Sequence, residues 1–70
     1  MQNILVFKTN IHSIEDLFTV GQIMTEIGIK DWNVDRQDID CVLRIVEPDC
    51  SCQELIDVVT EAGFYCQELE

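Results

Sequence analysis

Short stretches in which apolar and polar residues alternate give way twice to longer stretches in which the apolar residues recur every three or four positions. That change of period divides the chain. Asn3 to Thr9 is rich in β-formers, with Leu5 and Phe7 set against Ile4, Val6 and Lys8, and predicts a first strand. From Ile14 to Ile27 the spacing of Leu17, Val20, Met24 and Ile27, flanked by Phe18 and Ile23, predicts a helix that Gly28 stops. Ile29 to Asp35 alternates Trp32 and Val34 with Asp31 and Asn33, the pattern of a half-buried strand. The polar run Arg36 to Asp40 makes a turn into a third strand, Cys41 to Val46, which Pro48 ends. Cys52, Leu55, Ile56, Val59 and Ala62 restore helical spacing over Ser51 to Ala62, Gly63 closes that helix, and Phe64 to Leu69 is a last short strand.

The order is βαββαβ, an α+β chain. The right-handed crossover rule favours a ferredoxin-like sandwich: strands one and three central, two and four at the edges, and both helices on one face of a four-stranded antiparallel sheet. Each half repeats strand, Ser-capped helix and Gly stop. No Pro-, Gly- or Ser-rich linker interrupts residues 1–70, which are read as a single domain. The hydrophobic fraction of 47% suffices for one two-layer core, and the chain is therefore globular.

Charge narrows the partners. Fourteen acidic residues against four basic ones give a net charge of −10, which argues against nucleic acid and anionic membranes and for cationic partners. The apolar run near the start, Ile4-Leu5-Val6-Phe7, is too short for a membrane span or a signal-peptide core, so a cytoplasmic protein is expected. The four cysteines, at 41, 50, 52 and 66, are then expected as thiols.

Three stretches carry a family likeness: Phe7-Lys8-Thr9-Asn10-Ile11, Gly28-Ile29-Lys30-Asp31-Trp32-Asn33-Val34-Asp35, and Glu54-Leu55-Ile56-Asp57 leading to Glu61-Ala62-Gly63-Phe64. Over nearly its whole length the chain resembles heavy-metal-associated domains of the copper-chaperone type. The second and third stretches are similar to that family's Gly-Val-x-x-Val-x-Val-Asp strand and its Glu-Leu-Ile … Ala-Gly-Tyr ending. The resemblance implies a cytosolic carrier or sensor of soft metal ions, commonly Cu(I), bound by a Met-x-Cys-x-x-Cys turn between the first strand and first helix. Placing Ile11 on the Met position puts Ser13 and Asp16 where the two cysteines belong, with His12 between Ile11 and Ser13. No cysteine precedes Cys41, and oxygen donors do not replace thiolates for Cu(I).

Each remaining chemical signal has a structural reading beside it. Ser13 reads as a helix N-cap, with Glu15 and Asp16 at the positive end of the helix dipole. The alternative is a hard-metal or adapted site of His12 and Asp16 with Glu15 as a further ligand, or a composite of His12, Asp16 and Cys41, which the fold brings to the same end of the sheet. Cys50-Ser51-Cys52 has a chelating spacing for a soft ion such as Cu(I) or Zn(II). Yet Cys52 falls on the apolar stripe of helix two, and Ser51 with Glu54 reads as a capping box. Cys41 and Cys66 read as core residues, with strand one between them, a poor geometry for a disulfide. By alternation Val6, Val42, Val46 and Tyr65 surround Arg44 on the uncovered sheet face, a candidate surface for a protein partner or for self-association.

Catalysis has little support. There is one histidine and no nucleophile with a positioned base, and Thr9 to Ile14 lacks the arginine-bearing phosphate cradle that acylphosphatases, which share this chain order, require. The expected protein is a non-enzymatic binding or assembly module with a degenerate metal turn and no cofactor. The alternative is a copper or zinc carrier using His12, Asp16, Cys41 or the Cys50/Cys52 pair.

Overall fold

Both helices begin on a serine and end on a glycine, and those four residues set most of the element boundaries in a computed structural model that describes residues 3–46, 48 and 50–69. The elements are β1 (Ile4–Thr9), α1 (Ile14–Glu26), β2 (Trp32–Asp35), β3 (Val42–Val46), α2 (Cys52–Glu61) and β4 (Cys66–Glu68). The sheet order is β2-β3-β1-β4, with every pairing antiparallel. This is the ferredoxin-like βαββαβ arrangement, with β1 and β3 central and β2 and β4 at the edges.

Strand alternation sends Phe7, Leu43 and Ile45 to the helix-covered face, where none is exposed, and they join Val20 and Met24 of α1 and Leu55 and Val59 of α2 in one core. The register aligns Val34, Leu43 and Phe7 in one row and Trp32, Ile45 and Leu5 in the next. Both helices therefore pack on the same face of the sheet.

Two strands are shorter than the sequence pattern suggests, for one shared reason. At the end of α1, Gly28 takes φ +82 and donates to Thr25 O, while Ile29 N donates to Met24 O. At the end of α2, Gly63 takes φ +99 and donates to Thr60 O, while Phe64 N donates to Val59 O. Both are Schellman stops, in which a left-handed residue turns the chain and the residue after it closes back on the last helical turn. Ile29 and Phe64 are thereby held by the helices, so β2 and β4 begin later than their apolar onset.

Cys41 also falls outside its expected strand. It has φ +44, a left-handed conformation uncommon for a residue with a side chain, and its N–H donates to Asp38 O. β3 starts one residue later.

The open sheet face is less apolar at its surface than alternation implied. Val42, paired with Asp35 of β2, is buried, while Val6 and Val46 are half-buried. Arg44 stands exposed between Val6 and Asn33, and Tyr65, just ahead of β4, keeps about half its surface exposed. Among the described residues no helix is long and apolar enough to cross a membrane.

Candidate functional site

The turn between β1 and α1 holds Ile11, His12 and Ser13, with Asp16 one turn into the helix. Ser13 has extended backbone angles and its hydroxyl accepts from Asp16 N at 3.0 Å. Asp16 Oδ2 in return accepts from Ser13 N and from His12 N, each at 3.2 Å. The box is reciprocal, so side chains satisfy backbone donors that helix geometry leaves without partners. Those two backbone bonds, His12 first, hold the Asp16 carboxyl below its ordinary value. The sequence reading assigned the box to Ser51 and Glu54 instead. There Ser51 accepts from Glu54 N at 3.2 Å, a cap of the ordinary kind. At Ser13 the signal was muted because aspartate, not the usual glutamate or glutamine, stands three residues on.

The rest of the turn is also internally bonded. Ile11 is fully buried, and its N–H donates to Thr9 Oγ1 at 3.2 Å. Arg36 Nη1 donates to His12 O at 3.2 Å, and Tyr65 N donates to Asn10 Oδ1 at 2.8 Å. The turn is thus tied to the β2–β3 hairpin on one side and to the approach to β4 on the other.

His12 does meet Cys41. The Cys41 Sγ lies 3.2 Å from His12 Nδ1 and 3.6 Å from Nε2. Thr9 Oγ1 donates to Cys41 O at 2.6 Å, which helps to hold the left-handed backbone in place. Cys41 is fully buried yet lies outside the main core cluster. Burial pushes its thiol up, and Asp38, Asp40 and Asp35 push it the same way. A thiol held in its protonated form is the reverse of an activated nucleophile. The two side chains are spaced like neighbouring ligands of a tetrahedral Zn(II), whose bond lengths put adjacent S and N atoms about 3.5 Å apart. Asp16 does not join them as a third ligand, being turned to its own cap. Among the described residues, no group of three or more His, Cys, Asp or Glu side chains converges as a metal site would require.

The other candidate thiols lie elsewhere. Cys50 and Cys52 are half-buried and pack against the core at the start of α2, at the far end of β3 from His12. Burial raises the Cys52 thiol, followed by a hydrogen bond to Glu68 and that carboxylate's charge. Cys66 is a core residue in β4, where burial, with a smaller contribution from Cys52, pushes its thiol up to about 11. β1 lies between Cys66 and the strand that follows Cys41.

Sequence reasoning missed one surface. Ile14 and Phe18 of α1 are 76% and 69% exposed, although both belong to an apolar-rich helix. Beside them an open groove of about 620 Å³ runs between α1 and β2, lined by Phe18, Gly21, Gln22, Thr25, Glu26 and Trp32. The available signal was angular: Ile14 and Phe18 fall outside the core stripe of Val20 and Met24.

Compared with family models, with curated proteins and with solved structures, the chain matches none of them.

Proposed function

We propose that this chain is a non-enzymatic, cytoplasmic module of the heavy-metal-associated type, in which a helix cap has taken the place of the thiolate turn and the retained role is binding or assembly with a protein partner. The observation that carries the reading is the reciprocal bonding of Ser13 and Asp16. The two side chains at the positions of the missing cysteines are both engaged with backbone N–H groups, and both are hard oxygen donors unsuited to Cu(I). The protonated, buried Cys41 beside His12 supplies no activated nucleophile, which supports a role without catalysis.

The test is a competitive Cu(I) titration of the fully reduced protein. The unaltered chain is expected to bind no stoichiometric ion against a chelator of submicromolar affinity, and the double variant Ser13→Cys/Asp16→Cys is expected to gain one. Stoichiometric tight binding by the unaltered chain would overturn the reading.

One observation favours a second reading, a metal carrier that uses His12 and Cys41: the two side chains are already at ligand spacing. It predicts Zn(II) binding that His12→Ala abolishes. Zinc affinity indifferent to His12→Ala would dispose of it.

A further inference from the structure

The groove between α1 and β2 joins an exposed apolar stripe to an acidic border. Ile14 and Phe18 are four residues apart, so they lie on one line of the helix surface, and Gly21 continues that line into the groove. Trp32, half-buried on the edge strand, forms the opposite wall. A Cβ placed on Gly21 would meet the Trp32 ring at 3.5 Å, an ordinary contact. Sterics would therefore admit alanine there, which favours a helix interior by about 1 kcal/mol over glycine. The absence of a side chain at Gly21 leaves the groove deeper than packing demands.

The border selects the occupant. Glu15 and Glu26, three residues before and eight after Phe18, fall on the same helix face, and Asp31 precedes Trp32. α1 carries no lysine or arginine, and Lys30 is the cation nearest in sequence to the groove. A second copy would bring another −10 charge against this border. A nucleic acid or an anionic bilayer meets the same repulsion. A positively charged polypeptide does not.

We propose that this groove docks a cationic polypeptide segment, one that inserts an apolar side chain between Phe18 and Trp32 and sets Lys or Arg against Glu15 and Glu26. The proposal deepens the binding-module reading and rests on it, by naming the surface and the chemistry of the partner.

Trp32 is the sole tryptophan, so its fluorescence reports directly on the groove. The probe is a tryptophan-free amphipathic peptide of Leu and Lys at helical spacing, about 18 residues long so that it holds a helix. It is titrated into the full chain alongside a scrambled peptide of the same composition. The expected result is saturable micromolar binding with a blue-shifted Trp32 emission, at least about tenfold weaker for the scrambled peptide and for both Phe18→Asp and Glu26→Lys. Neither variant should harm the fold, because Phe18 is exposed and a lysine in the last turn complements the helix dipole. Equal binding of the scrambled peptide, indifference to Phe18→Asp, or no Trp32 response would each overturn the proposal. So would concentration-dependent association of the chain that Phe18→Asp abolishes, since the occupant would then be a second copy. A chain that takes the peptide as expected yet binds Cu(I) tightly would keep the groove and lose the proposed absence of a metal site. A chain that takes neither loses the groove alone.

Discussion

Ser13 and Asp16 make opposite halves of one small device, and their energetics should show it. Ser13→Ala removes the acceptor for Asp16 N and is expected to cost about 1 kcal/mol in urea denaturation. Because both side chains serve the same turn, the double variant Ser13→Ala/Asp16→Ala should lose less than the sum of the single losses; additive losses would mean that the two caps act independently. Thiol burial gives a second residue-scale prediction. The Cys66 thiol is pushed from an ordinary 9.0 to about 11, so the folded state holds its proton more tightly than the unfolded chain. Its contribution to stability is complete below pH 9.0 and is lost as pH rises toward about 11. Cys66→Ala should flatten the fall in stability over that window, as followed by denaturant midpoints. The meeting of His12 and Cys41 was legible only as a shared end of the sheet. The contact itself depends on a left-handed backbone at Cys41, and nothing about a cysteine announces that conformation.

At the scale of elements, periodicity identified all six segments, and local hydrogen bonding trimmed them. Ile29 and Phe64 are apolar and read as strand onsets, but each is the residue that closes a Schellman stop. The glycines make this testable with opposite signs. Gly28 has φ +82 with open space around it, so Gly28→Ala should destabilise by about 1 kcal/mol through backbone strain alone. Gly21 lies within α1, and Gly21→Ala should stabilise by up to about 1 kcal/mol, because the added methyl meets Trp32 at contact distance. Thermal midpoints moving in the same direction for both variants would contradict these assignments. Alternation correctly divided the sheet faces but did not foresee that Val42 is buried.

For the whole molecule, charge was the most legible property and the burial of individual surfaces the least. A net charge of −10 is carried on a body of 30 × 25 × 18 Å, and at about 10 mM ionic strength the Debye length of roughly 30 Å spans it. Self-repulsion is then nearly unscreened, while Lys8 with Asp40, 3.5 Å apart, supplies only a partly exposed ion pair. The melting temperature should therefore rise with added NaCl; a fall would mean that attractive pairs outweigh the repulsion. The capped turn engages the Ser13 and Asp16 oxygens with backbone N–H groups, and its protonation is directly observable. In an NMR pH titration, the Asp16 carboxyl should titrate below its ordinary 3.8, with the His12 and Ser13 amide resonances moving at the same midpoint. An Asp16 midpoint at or above 3.8, with those two amides unmoved, would contradict the account.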